Sequence, residues 1–513
     1  MGMRGILKST TTSVLAAAAI SSAPARADVK ISDKPTQNMS CAAGVCTATA
    51  NKAVLNVSDL ANMLASGDVE VRTGGVAKDI EIDAALGWAS SQRLTLTADR
   101  SLIVNKPVTV TGTGALTVTT NDGGTGGDLL FAEKGNLTFW DTASGLIING
   151  NSYTLAGDIA TLAADIAANP SGFYALANKI DAKSQVISGA AIPTEFSGTF
   201  DGLGQVISHL KIKHNVRNRE GFFAFVDEKG VVRDLVLKKV NIHASGDIVV
   251  GALVGENYGA LLNISADGEV NGTAQVTGGI VGENNGGTIE NLSSAVNVTS
   301  GLFAGGIVGA SEFGTITSSH STGSVAGLAA GGLAGTGSNI SLSYATGSVT
   351  GIQGAGGLVA GGDHIDQCYA TGAVVGADKS AAGGLAGGGS FITNSYATGA
   401  VQSGSGRQVK VGGLTGSGSF VSTSYSAGSV AGGGDSEVGG FMGEGHKNSF
   451  QDYWDVDTSG TSQACGAGNC AGVSGLTTDQ LQSGLPAGFD PKIWAEAPEI
   501  NGGLPYLRAN PPQ

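Results

Sequence analysis

The chain has 513 residues, 84 of them glycine; 41% are hydrophobic, 14% charged and 5% aromatic. The glycines follow no strict third-residue period and only 11 prolines accompany them, which excludes collagen, while the aliphatic content excludes a disordered linker. A formal net charge of −14 argues against a nucleic-acid binder, since neutralising phosphates takes clustered Lys and Arg.

Residues 1–27 read as a secretory signal. Arg4 and Lys8 form a basic start, Val14 to Ile20 a short apolar run, and Ala25-Arg26-Ala27 a cleavage site after Ala27. The apolar run is too short to cross a bilayer, and no later segment reaches the length of a transmembrane helix. Residues 28–150 form an N-terminal region. Its first twenty or so residues are polar and aperiodic, which suggests a mobile start. Alternation then predicts strands at Leu94–Thr97, Leu102–Val104, Val108–Val110 and Leu116–Val118. Ser58 is a candidate cap for a turn of helix through Leu64. Within 151–219, Asp158 to Ala168 has helical spacing and stops before Asn169-Pro170, and Phe196 to Ile212 forms a distinct turn-and-strand unit.

Residues 220–449 are a repeat. Gly-Gly-[Ile/Leu/Phe]-x-Gly or a one-position variant starts at 251, 278, 305, 331, 356, 383, 412 and 439, spacings of 25 to 29 residues. A second motif follows, as in Tyr344-Ala345-Thr346-Gly347-Ser348-Val349. A helix cannot carry five or six glycines per repeat, whereas short strands joined by glycine turns can. The repeats therefore predict an all-β solenoid in which each unit stacks its Ile or Leu on the next. One ring per repeat, at His320, Tyr344, Tyr369, Tyr396 and Tyr425, stacks in the same way. That row reads either as internal stacking or as a surface ladder for glycan contact, which makes Tyr344, Tyr369, Tyr396 and Tyr425 the candidate binding residues. Residues 450–513 hold Trp454, Phe489, Trp494 and Tyr506 and read as a C-terminal cap that covers the open end of the coil.

Cysteines sit as C-x4-C near each end, Cys41 with Cys46 and Cys465 with Cys470, and suit two local disulfides in an oxidising compartment; a shared four-cysteine metal site is the competing reading. Cys368 is left as a small core residue. Catalytic signatures are sparse. Asp363 and Asp366 flank His364 and are the candidates for a paired-carboxylate site, against a plain solvated turn. Asp455-Val456-Asp457-Thr458-Ser459-Gly460 opens like a calcium loop, but Gly466 stands where that loop needs its Glu. Lys211, Lys213, His214, Arg217 and Arg219 make one basic patch. No cofactor is implied.

The Gly-Gly-[Ile/Leu]-Val-Gly units with Ser-Tyr-Ala-Thr-Gly-x-Val resemble GLUG repeats, and Phe196-Ser197-Gly198-Thr199-Phe200-Asp201-Gly202-Leu203-Gly204 resembles the unit preceding them in filamentous-haemagglutinin-type surface proteins of Gram-negative bacteria. Tyr453-Trp454-Asp455 and Asn501-Gly502-Gly503-Leu504-Pro505-Tyr506 are similar to the same family. The resemblance implies a right-handed parallel β-helix, exported and often adhesive. It departs from the family in showing neither a two-partner secretion domain nor a translocator barrel. The expectation is a secreted or surface-displayed non-enzymatic protein, with the periplasm as a further destination, that binds a host or matrix glycan or protein. A β-helix polysaccharide lyase or hydrolase and a cell-envelope scaffold are the alternatives.

Overall fold

The computed structural model describes residues 28–214, 219–246, 249–273, 275–377, 380–404, 409–445 and 449–512. The signal segment, its Ala27 site and Arg217 lie outside the described residues. The chain is all-β, a parallel β-solenoid of about 16 turns with three short helices. Helix α1 (Val57–Leu64) is capped by Asn56, whose side chain accepts from Ser58 and Asp59, two residues earlier than the expected Ser58 cap. Helix α2 (Ile159–Ala168) is capped by Asp158.

Two coils follow one another along the chain. In the first, three columns of short parallel strands enclose an aliphatic core that runs from Val29 to Leu155 and takes in Ala175, Ala177 and Leu203 from further along the chain. The segment expected to be mobile is part of it. Asp28–Ser32 pairs with Ala53–Asn56 on one side and Asp79–Ile82 on the other, because Val29 and Ile31 alternate inward and are fully buried. Cys41 and Cys46 face each other across a hairpin and are bonded, as are Cys465 and Cys470. A hairpin then reverses the chain at Asn149-Gly150, both in the left-handed region, and joins Leu146–Ile148 to Asn151–Ala156. The second coil begins beyond it and has its own core, from Ala156 to Trp454. Arg233 clamps the two coils together, with Nη1 and Nη2 donating to Asp128 at 3.1 and 2.7 Å and Nε to Asp234 at 2.5 Å.

Stacking in the second coil is in register, so equivalent residues form columns. One runs Val232, Leu261, Ile289, Ile316, Ile340, Ile365, Ile392 and Val421, each paired with the next. The central residue of every Gly-Gly-x-x-Gly unit, Leu333 and Leu358 among them, is fully buried. The doublet glycines serve a different purpose from the one expected. None of them has positive φ; instead a Cβ on Gly356 would lie 1.8 Å from the Val359 carbonyl, and on Gly357 2.0 Å from the Gly384 carbonyl of the next rung. They are required by close backbone approach. The left-handed corner of each rung falls on ordinary residues, Asn291, Ser318, Leu342, Gln367, Asn394 and Thr423 in succession, with φ between 45° and 57°.

After each corner from Ser318 onward comes a buried polar column, Ser319, Ser343, Cys368, Ser395 and Ser424, and Asp452 continues it after the left-handed Gln451. Each serine checks the strand ends on both sides. Ser395 Oγ, for example, accepts from Cys368 N at 3.1 Å and donates to Thr393 O at 2.7 Å. Cys368 takes a serine's place in this column, and burial pushes its thiol up to about 12. Asp452 ends it. Its carboxylate accepts from Ser424 N and Phe450 N at 3.0 and 3.1 Å, yet desolvation outweighs those bonds and raises it to about 8.

Replacing Leu358 with Asp puts an unpaired charge into the central column, and we expect a loss of at least about 3 kcal/mol; a variant that melts like the parent would overturn the column assignment. Asp452 gives a pH-dependent counterpart. Its folded pKa lies above its unfolded one, so the destabilisation is absent below about pH 4, grows as pH rises and is complete above about pH 8. Asp452→Ser restores the serine pattern, and its melting-temperature gain over the parent should be small at pH 4 and large at pH 8.5. Equal gains at both pH values would mean that Asp452 is ionised throughout.

Candidate binding trough

The aromatic row is built, and of its two readings the structure has internal stacking rather than a surface ladder. His320, Tyr344, Tyr369, Tyr396 and Tyr425 stack face to face at centroid spacings of 4.7 to 5.1 Å, one ring per rung. All four tyrosines are buried, none more than 8% exposed. Residues 452–476 add further strands, and the chain then turns back along the flank of the coil. There Thr477 and Gln480 form a capping box at α3 (Thr478–Leu481), and Phe489, Trp494 and Leu507 pack into one cluster with the tyrosine rings. Trp494 lies 6.0 Å from both Tyr396 and Tyr425. Tyr425 Oη donates to Pro505 O at 2.6 Å, and Asn510 Nδ2 reaches Ser343 O at 3.2 Å. Tyr344, Tyr369, Tyr396 and Tyr425 are therefore internal, because the apolar C-terminal segment finds its partner on their flank rather than only at the open end.

A different aromatic row faces solvent. His364, Phe391 and Phe420 occupy one column, stacked at 5.0 and 5.8 Å, and Phe450 continues the contact at 5.8 Å. Phe391 is 48% and Phe450 54% exposed. Each of the first three directly precedes the inward Ile or Val of its strand, so alternation turns it outward. That period-2 position was the signal in the sequence that could have found them.

Beside this row lies a trough of about 810 Å³. Its floor is a single column read across five rungs, Ala310, Thr336, Gly361, Gly388 and Ser417. At about 4.8 Å per rung the floor is about 19 Å long and runs along the solenoid axis. The same column turns acidic at both ends, Glu256 and Glu283 on one side and Glu444 on the other. Ion pairs of Arg219 with Glu256 and Lys410 with Glu444 sit at these ends. Phe303 and Phe313 stand on the walls, and Glu312, Asp363, Ser338 and Ser419 supply polar groups. Among the described residues no Lys, Arg or His lines the trough. Burial, together with the charges of Glu256 and Glu312, raises the Glu283 carboxyl above its ordinary value.

The two glycines of the floor are unlike those of the doublets. A Cβ on Gly361 would meet nothing within 4 Å, and one on Gly388 only Ser417 Oγ at 3.7 Å. Neither has positive φ. A glycine inside a strand costs about 0.5–1 kcal/mol relative to Ala, and neither packing nor backbone conformation calls for it here. At these two positions the backbone floor of the trough is bare of side chains.

The remaining candidates separate. Asp363 faces the trough, whereas the Asp366 carboxylate accepts from Thr393 Oγ1 at 2.7 Å, Asn394 Nδ2 at 2.9 Å and Gln367 Nε2 at 3.0 Å, a corner brace between rungs. The two do not converge on one point. Asp455 is buried and holds Asp457 N, Thr458 N and Thr478 Oγ1, so the calcium-like segment is a hydrogen-bonded turn. Arg219 is paired with Glu256 and lies 4.9 Å over Phe225, which removes it from a free basic patch; Lys211 and Lys213 remain exposed. Among the described residues no cluster of three His, Cys, Asp or Glu side chains is placed to hold a metal ion, and no helix is long and apolar enough to cross a membrane.

No family model matches the chain. Over 130 residues, a quarter of its length, it is 29% identical to halomucin of Haloquadratum walsbyi, and that match spans 1% of halomucin. Among solved structures it is similar to a Bacteroides ovatus protein provisionally assigned as an immunoglobulin A1 protease, at 16% identity and a TM-score of 0.29, covering 70% of this chain and 92% of that one. It is also similar to an IgA1 protease, at 17% identity and a TM-score of 0.32, covering 62% of this chain and 23% of that one. At these scores neither structure informs on activity.

Proposed function

We propose that this chain is an exported, non-enzymatic β-solenoid of the GLUG-repeat, filamentous-haemagglutinin-like type that binds an extended glycan along its trough. The observation that carries the reading is the unforced glycine floor at Gly361 and Gly388 beneath an exposed aromatic row. A polymer lying along the axis meets equivalent groups at every rung. Hydroxyls of Thr336 and Ser417 offer hydrogen bonds, and the rings of Phe303 and Phe313 offer apolar contact to sugar C–H groups. The absence of basic lining disfavours a polyanionic glycan. Two disulfides support residence in an oxidising compartment, and the partial match to halomucin is in keeping with export.

The test fills the trough. A Cβ on Gly361 meets nothing within 4 Å and one on Gly388 only Ser417 Oγ at 3.7 Å, so Gly361→Trp and Gly388→Trp should both stay close to the parent melting temperature. Screened against neutral glycan arrays and matrix preparations, they should lose at least about tenfold in affinity relative to the parent. Parent-like binding by both variants would move the site elsewhere, and binding to protein components alone would replace the glycan with a polypeptide partner.

One observation favours a second reading, a carbohydrate-active enzyme. Glu283 has the raised carboxyl of a general acid and shares the trough with Glu312 and Asp363. Release of reducing or unsaturated sugar from a polysaccharide panel, abolished in Glu283→Gln, would establish that reading in place of the first.

A further inference from the structure

A second concavity, of about 640 Å³, lies where the two coils meet. Its most conspicuous residue is Trp140. The chain has four tryptophans; Trp88, Trp454 and Trp494 are all under 10% exposed, while Trp140 is 70% exposed. It ends the strand Leu137–Phe139, whose Leu137 and Phe139 point into the core, so that Asn136, Thr138 and Trp140 all face outward.

The polar groups beside the indole are held in fixed directions. Gln205, 5% exposed, reaches over from the second coil, and its Nε2 donates to Leu137 O at 2.6 Å and to Thr138 Oγ1 at 2.8 Å. Both amide hydrogens are thereby used, and Oε1 is left as an acceptor. Thr138 Oγ1 donates onward to Asn136 Oδ1 at 3.0 Å, which orients Asn136 Nδ2 as a donor. Asn178 and Lys179 close the opposite side, brought there by the bond from Phe139 N to Ala177 O at 2.7 Å. An oriented acceptor, an oriented donor, a further amide and an ammonium thus surround an exposed indole.

We propose that this junction is a second binding site, for a pyranose residue. The indole offers a flat apolar surface for the C–H face of a sugar ring, and the amides match hydroxyls that donate and accept at once. Pre-orientation by the Gln205–Thr138–Asn136 relay lowers the ordering cost on binding. Among the described residues no carboxylate lines this concavity, whereas Lys179 does, so a uronate or another anionic sugar is accepted here but not in the trough. This site stands independently of the trough, since it shares no lining residue with it.

Because Trp140 is the one exposed tryptophan, it reports on its own occupancy. Cellotetraose, chitotetraose, mannotetraose, galactotetraose and tetragalacturonate, each titrated to about 10 mM, cover the weak end of single-site affinities. At least one should shift the tryptophan emission to shorter wavelength and protect it from iodide quenching. Calorimetry should show the heat of that sugar lost in Trp140→Ala and its affinity reduced at least about fivefold in Asn178→Ala, with both melting temperatures unchanged. Neither variant should alter binding through the trough, just as a failure of Gly361→Trp to affect trough binding leaves this site untouched. An emission spectrum that none of the five sugars changes would overturn the proposal, and so would an undiminished heat in Trp140→Ala.

Discussion

Everything in the second coil rests on how closely successive backbones approach at the glycine doublets. The contacts a methyl group would make there, 1.8 Å at Gly356 and 2.0 Å at Gly357, leave no room for adjustment, and they recur from Gly278-Gly279 to Gly412-Gly413. Close approach at one corner sets the register of the whole rung. Once Gly356 lies against Gly383, Ala355 must lie on Ala382 and, beyond the turn, Val359 on Ala386. A solenoid built this way has few independent choices. Each residue type is stated once per repeat and multiplied along the axis.

Multiplication explains why so much of the fold was legible and where legibility stopped. Spacings of 25 to 29 residues and the alternation within each unit define parallel strands and aliphatic columns without reference to any other molecule. The stacked row from His320 to Tyr425 was equally visible, since identical residues at one register position must stack. The side of the wall on which a column falls was harder to read. That depends on the corner preceding it, and the corner residue, Leu342, Gln367 or Thr423, carries none of the glycine signal that a left-handed turn usually leaves. Nor does the period say what lies against a column from outside the repeat. Phe489, Trp494 and Leu507 belong to a segment with no repeat of its own, and the contacts of Phe489 and Trp494 with Tyr396 and Tyr425, well over fifty residues earlier, are a tertiary fact. The surface of the solenoid is thus the part that its sequence encodes least directly.

The trough shows the same logic applied to function. A column of small side chains becomes a channel because five rungs repeat the choice, and it ends where the choice changes to Glu at Glu283 and Glu444. His364, Phe391 and Phe420 form an outward column beside it for the same reason. Such a surface recognises repetition better than detail. Each contact is weak, hydroxyl or ring edge, and affinity comes from making many of them in step with the ligand's own repeat.

The site at Trp140 obeys a different rule, and the contrast is physical. It lies at the one place where two coils of different register meet, so none of its residues is repeated along the axis. Gln205 comes from the strand Thr199–Ser208 of the second coil and Thr138 from the first, and the hydrogen bond between them spans the junction that the Arg233–Asp128 pair and the Phe139 N to Ala177 O bond also bridge. A junction can therefore specify a single ring in a single orientation, through an amide with both hydrogens already committed. The periodic wall can only specify length and spacing. Were both proposed sites filled, the protein would hold a long chain loosely along its side while reading one sugar residue at the junction of the coils.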